Sequence, residues 1–505
     1  MHLLLNLLLP ITIDVSAAKS ISPYVYGANF TPWPQTGRTV TIDRQGGNRM
    51  SAYNWETNAS NAGNDYRNQN DGFMGESNEA GLTVRTFMEA AQKNGAAALL
   101  TVPTMGYVSA DKKGDGDVGS TPDYLQTRFH RSLSKKAGPL VFPPNATDET
   151  VYQDEFVHWV EGTKARTTPV WFSLDNEPDL WGSTHSRVWK KSPTYAEIVA
   201  NNAEFAAAIK AQAPSALVFG PANYGWQGFR TFQNAPDANG RDFVDFYLGA
   251  MKSESAKAGK RLVDVLDIHW YPEAKGGGVR VAFGEDKPGT AEARIQASRS
   301  LWDPTYVEDS WIAESLGKRP IVLLPRLMGQ IAKSWPGTKL GITEYNYGGG
   351  RDVSGLLAQA DVLGVFGRYG VFTACVFGMG KDDAYQIAAF KAFRDFDGKG
   401  ARFGDVSLGV KGTDAASESV FAARDARGPA RTTIVVINKT AQARTYRIPI
   451  PAASKATQIR GRAFVRAAGH LETPTTTGVR SEGGAVSFTA PPMSVVTVEA
   501  TVTKG

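Results

Sequence analysis

A single cysteine, Cys375, stands in a chain of 505 residues. That excludes an internal disulfide framework, and with no Cys or His neighbour at ligand spacing it excludes a cysteine-bound metal centre. It sits in the apolar run Val371-Phe-Thr-Ala-Cys-Val-Phe377, where a buried inert thiol is expected, so the redox compartment stays open. Lys and Arg are scattered despite a net charge of +5, and no run is long enough to make a nucleic-acid stripe. No stretch of about 20 apolar residues is present, so no membrane-spanning helix is predicted. Gly46-Gly47 lacks the G-x-G-x-x-G dinucleotide pattern, and there is no internal repeat or low-complexity segment. Tryptophan is missing from the C-terminal region: all 11 lie between Trp33 and Trp335.

The first ten residues, Met1-His-Leu-Leu-Leu-Asn-Leu-Leu-Leu-Pro10, resemble a leader only in part. They have no positive n-region, and Asn6 interrupts a short apolar run. Cleavage near Val15-Ser16-Ala17 would remove a good strand, Ile11-Thr-Ile-Asp-Val15. The expectation is a leader remnant or junction that feeds a structural strand.

With 42% hydrophobic and 21% charged residues, the chain has material for a large core, and its length predicts one large domain plus a smaller one. Between about residues 22 and 397, short apolar runs alternate with helical patterns, as in βα units. Eight runs qualify as strands: Tyr24–Asn29, Thr39–Asp43, Ala96–Val102, Val170–Leu174, Ala216–Gly220, Val263–His269, Lys339–Thr343 and Val371–Phe377. An Ala-rich helix is predicted over Tyr195–Ala213. Eight such units predict an α/β TIM barrel. From about residue 398 to 505, β-branched alternation and Gly/Pro/Asn turns predict a β-sandwich. Residues 11–21 are expected to join it, because chain termini often lie close together.

The chemistry is concentrated at strand ends. Pro169-Val-Trp-Phe-Ser-Leu-Asp-Asn-Glu-Pro-Asp-Leu-Trp181 reads as a buried strand stopped by Pro178, with Asn176 and Glu177 at its end. Lys339-Leu-Gly-Ile-Thr-Glu-Tyr-Asn346 likewise ends in Glu344. In a barrel, strand ends form the active-site face, and two carboxylates there are the minimum equipment for cleaving a glycosidic bond. Glu177 then serves as the acid/base, with its pKa raised, and Glu344 as the ionised nucleophile held by Tyr345 or Tyr271. Asn176 would bind the sugar's 2-hydroxyl. His269 and Tyr271, in Ile268-His-Trp-Tyr-Pro272, are expected to line the site, as are Asn48 and Trp55 after the second strand. The stretch Glu56-Thr-Asn-Ala-Ser-Asn-Ala-Gly-Asn-Asp65 is dense in hard oxygen ligands, and a calcium clip or a solvated loop would both explain it.

Taken in order, these motifs resemble glycoside hydrolase family 44, endo-acting β-1,4-glucanases and xyloglucanases of the retaining barrel clan. The resemblance runs from Ile11–Val15 and Ile21–Asn29 through Gly46–Asn48, Tyr53–Trp55 and Ser173–Trp181. It continues through Asp267–Pro272 and Ile342–Asn346 to Phe488–Ser494. It implies Glu177 as acid/base, Glu344 as nucleophile, and substrate stacking on Trp55, Trp181 and Trp311. Phe377 stands where clan members often carry a tryptophan. No cofactor is implied for the chemistry. A structural calcium is implied, with Glu56 and Asp154 nominated as ligands. The expected partner is a β-1,4-glucan or xyloglucan, met by a secreted monomer. The alternatives are a β-mannanase or xylanase of the same clan, and a non-catalytic glycan-binding protein.

Overall fold

The computed structural model describes residues 10–164, 168–282, 289–427, 430–451, 458–469, 471 and 474–503. Residues 1–9, on which the leader reading falls, lie outside them. Eight strands close into a barrel: β1 (Gly27–Asn29), β2 (Ile42–Gln45), β3 (Ala97–Val102), β4 (Val170–Leu174), β5 (Val218–Tyr224), β6 (Val265–Trp270), β7 (Lys339–Tyr345) and β8 (Thr373–Val376). Each pairs in parallel with the next, and β8 closes onto β1. All eight predicted runs are barrel strands, with boundaries moved by a few residues. The Ala-rich helix spans Tyr195–Gln212 and starts in a capping box, with Thr194 on the Glu197 N–H and Glu197 reaching back, so two orphan donors are satisfied at once.

The second unit is all-β. A seven-stranded sheet runs in the order Thr12–Ser20, Val406–Lys411, Glu418–Arg424, Arg431–Asn438, Ser494–Thr503, Gln458–Ala467, Thr475–Thr477. A three-stranded sheet, Arg444–Pro449, Ala485–Ala490 and Arg480–Glu482, covers it. The N-terminal strand joins the edge by antiparallel pairing, Thr12 opposite Lys411 and Ile13 opposite Val410.

Strand alternation tells where each face points. Val420, Ala422, Ile434 and Val436 pack toward Tyr446, Ile448 and Phe488 inside the sandwich. Their neighbours Phe421, Ala423, Val435 and Ile437 belong to the barrel's core. The central strands of the large sheet are therefore buried on both faces, which is why Ile434–Ile437 reads as unbroken apolar sequence. Against it lies the barrel helix Val353–Tyr369, buried at every position from Ser354 to Gly367. Gly364 permits the approach, since a Cβ there would stand 2.4 Å from the Phe421 ring. Among the described residues, no helix is long and apolar enough to cross a membrane.

Candidate active site

The C-terminal ends of β1, β2, β4, β6 and β7 converge on one buried constellation. At the end of β4 the chain turns sharply: Asp175 and Glu177 adopt positive φ, 62° and 45°, a conformation that costs a non-glycine residue free energy. Asp175 anchors the turn by accepting N–H groups from Thr104, Met105 and Asn176 at 2.5, 3.0 and 2.8 Å. The Glu177 N–H donates to the Ala222 carbonyl on β5 at 2.9 Å. The turn is thus tied on both sides, and it holds the Glu177 carboxyl over the barrel mouth.

Glu344 arrives from β7. The register between β6 and β7 slips by one residue, pairing Ile268 with Ile342 but His269 with Glu344. That slip sets His269 between the two carboxylates, with Nδ1 2.8 Å from Glu177 Oε1 and 3.5 Å from Glu344 Oε2. One oxygen of Glu177, one of Glu344 and a His269 ring nitrogen lie within 4.8 Å of one another.

The two acids are not equivalent. Arg44 Nη1 donates to Glu344 Oε1 at 2.7 Å, and the Tyr271 hydroxyl donates to Oε2 at 2.8 Å. Burial raises the Glu344 pKa, and these two partners counter it. Among the described residues, Glu177 has no such cation at hydrogen-bond distance. Burial, reinforced by the negative charges of Glu344 and Asp179, drives its pKa well above the ordinary value. When the pair shares one proton, the proton therefore rests on Glu177 and the charge on Glu344. His269 is driven well below its usual range by burial and by Arg44, so it stands neutral between them.

Arg44 went unnoticed in the sequence, because a charged residue in a short polar run looks like a solvated strand end. In the structure it is fully buried. Besides Glu344, it donates to Asn29 Oδ1 at 3.1 Å and Asn176 Oδ1 at 2.9 Å. The glycine that follows two residues later was the available signal: a Cβ on Gly46 would lie 2.2 Å from the guanidinium carbon. Asn176 is further fixed by the Gly47 N–H and donates to Asn48 Oδ1 at 3.1 Å, which brings Asn48 beside the site. Asn48 in turn donates to Asp65 at 2.7 Å. Phe377 is half-buried and faces Gly47, whose Cβ would meet its ring at 3.5 Å.

Three expectations are corrected. Tyr345 follows Glu344 in the strand and so points the other way, into the helix layer, where Gln359 donates to its hydroxyl at 2.8 Å; Tyr271 alone of the two holds Glu344. Trp55 and Trp181 are each only 1% exposed. Trp55 stacks on Trp159 at 5.6 Å and Trp181 packs on Trp189 at 5.2 Å, so neither indole offers a face to a sugar. Trp311, 43% exposed, begins a short helix beside Asp309, whose carbonyl accepts the Lys275 N–H from the loop after β6. The loop after β2 supplies further open aromatics. Arg49 lies between Tyr66 and Phe73, 4.9 and 4.0 Å from their ring centres, with the two rings 42% and 75% exposed.

Glu56 and Asp154 are both buried. Burial and the charges of Asp148 and Glu155 push Glu56 up to about 8, with Lys136 opposing. Glu155 Oε1 accepts Lys136 Nζ at 2.6 Å, yet its Oε2 is buried without a partner. Asp154 receives the Lys136 N–H at 3.1 Å. Carboxylate oxygen thus exceeds cationic charge here, and the donor chemistry fits a hard divalent ion.

A family model described as glycoside hydrolase family 44 matches residues 59–274. The chain is 35% identical to a Paenibacillus polymyxa xyloglucanase of that family solved with xyloglucan, covering 98% of this chain and 99% of that one at a TM-score of 0.91. A family 44 endoglucanase from Clostridium thermocellum is 38% identical, with 97% and 99% covered and a TM-score of 0.90. Among curated relatives, an endoglucanase A from Paenibacillus lautus is 38% identical, and a protein named beta-mannanase/endoglucanase A from Caldicellulosiruptor saccharolyticus is 39% identical. Each match takes in 85% of this chain, which spans only 63% and 34% of those two longer proteins.

Proposed function

The chain belongs to glycoside hydrolase family 44, and from that premise we propose that it is a retaining endo-glycosidase cutting β-1,4-glucan backbones, xyloglucan among them. The observation that carries this reading is the pair of buried glutamates. One oxygen of each lies within 4.8 Å of the other, a spacing that fits the roughly 5–5.5 Å of retaining enzymes and not the roughly 6.5–9.5 Å that leaves room for a water.

In the first step the Glu344 carboxylate attacks the anomeric carbon, and the bond to the leaving sugar's oxygen breaks. Glu177 gives that oxygen its proton. In the second step Glu177, now ionised, takes a proton from water. The resulting hydroxide displaces Glu344 from the anomeric carbon, and the acid and the nucleophile are both restored. Arg44 and Tyr271 keep Glu344 ionised and aimed, Asn176 meets the 2-hydroxyl, and Trp311, Tyr66 and Phe73 offer aromatic faces along the approach. Calcium, held by Glu56 and Glu155 near Asp154, would neutralise buried charge and take no part in bond cleavage. A polysaccharide of this class is met outside the cell, so the working form is an exported one.

The test separates the two glutamates. Glu344→Gln should lower kcat by several orders of magnitude on every substrate. Glu177→Ala should spare aryl glycosides with good leaving groups and yield a β-glycosyl azide when azide is added. Equal losses on activated and natural substrates, with no azide product, would remove Glu177 from the acid/base role. The panel should include β-mannan, because one relative is named for both mannan and glucan.

A further inference from the structure

At the N-terminal end of the barrel, opposite Glu177 and Glu344, the last barrel helix Ala384–Arg394 meets the sandwich around a cavity of about 720 Å³. That is within the range of ligand pockets, roughly 300–1,000 Å³. Its charged lining is Arg394, Arg402, Arg427 and Arg431 against Asp405 and Asp425. The two carboxylates are engaged. Asp425 pairs with Arg431 at 2.9 Å, and Asp405 accepts the Ala426 N–H at 2.5 Å. Arg431 is matched a second time by Glu499 at 2.9 Å.

Arg394 has no such match. Its Nε is buried without a hydrogen-bond partner. Its guanidinium rests on the Tyr26 ring, 5.1 Å from the centre, and among the described residues no carboxylate pairs with it. Burial, with Arg402 adding repulsion, pulls its pKa below the ordinary value. Arg394 is only partly buried as a residue, but its Nε is sealed and unpaired, and a planar guanidinium beside a second one is suited to an oxyanion.

We propose that this cavity is an anion site for a small carboxylate- or phosphate-bearing ligand, held between Arg402 and the Arg394 guanidinium that lies over Tyr26. The occupant would touch the barrel helix and the sandwich loops at once, and so would brace the junction between the two units. It would not touch the catalytic pair.

Isothermal titration of the whole chain tests this, using sodium glucuronate and sodium phosphate as probes at fixed ionic strength with sodium chloride as control. Saturable binding to one site is expected for at least one probe. Binding of glucuronate alone identifies an acidic sugar, and binding of phosphate alone identifies an inorganic or ester phosphate. Arg394→Gln should abolish it, and Arg402→Gln, an exposed change that leaves folding and hydrolysis intact, should weaken it at least about tenfold. No saturable heat beyond the chloride control, or unchanged binding in Arg402→Gln, overturns the proposal.

Discussion

Arg44 is the residue on which the asymmetry of the acid pair depends. Among the described residues it supplies the one cation within hydrogen-bond reach of Glu344, and Glu177 has no equivalent. Removing that charge favours the neutral form of Glu344, so its pKa must rise. For Arg44→Gln we expect the acid limb of kcat/KM to move to higher pH, together with a fall in kcat of about 10²-fold or more, as for loss of a strong charge-assisted bond in a dry site. A pH–rate profile with an unmoved acid limb would show that Arg44 only fills space. Residues of this kind divide by what made them visible. Glu177 and Glu344 were legible because a carboxylate closing an apolar run has no core explanation. Trp55 and Trp181 were misread because their burial depends on Trp159 and Trp189, which meet them only in the folded chain. Tyr345 was misread against a rule already available, since neighbours in a strand face opposite sides.

Among elements, the strands were read more reliably than their edges. β2 is predicted over Thr39–Asp43 and lies at Ile42–Gln45, so Arg44 falls just past its predicted end. Of the strand's four side chains only Ile42 is apolar, and Arg44 on the same face serves the site, so the apolar signal used to find strands is weakest where function is densest. The segment after it carries the buried Glu56, and this has a consequence for stability. The folded-state pKa of Glu56 is about 8, raised from 4.5. A raised carboxyl contributes stability that is fully present below the unfolded value and is lost as pH rises through the folded one. Without calcium, Tm should therefore fall between pH 5 and 8 by more in the wild type than in Glu56→Gln. Added calcium should restore the wild type at pH 8, and a chelator should reverse that gain. A pH 8 Tm indifferent to both calcium and chelator would dismiss the site.

At the scale of the whole molecule, the barrel and the sandwich are joined by a buried charge pair. Lys439, beyond the strand Arg431–Asn438, places its Nζ 2.7 Å from Asp361 on the helix Val353–Tyr369, with both side chains at most 2% exposed. Burial alone would raise Asp361, but the Lys439 ammonium and hydrogen bonds from Ser298 and Ser419 hold it below its usual value. Nothing in the sequence pointed to this pair, since its members are 78 residues apart and a lone Asp in an apolar helix carries no label for its partner. Lys439→Met should cost about 3–5 kcal/mol at pH 7, because it leaves an uncompensated carboxylate in the interface. The sign of the pH effect follows from the linkage. With Lys439 present, the lowered pKa contributes stability that is held at neutral pH and lost only as pH falls through the folded value. With Lys439 gone, desolvation raises the pKa, so protonation at lower pH should relieve the defect. Urea unfolding at pH 7 and pH 5 should thus show a smaller deficit at the lower pH, and Asp361→Leu combined with Lys439→Met should recover most of the loss. If the double variant is no more stable than Lys439→Met alone, the junction is held by packing around Phe421 and Gly364, and the ion pair is incidental to it.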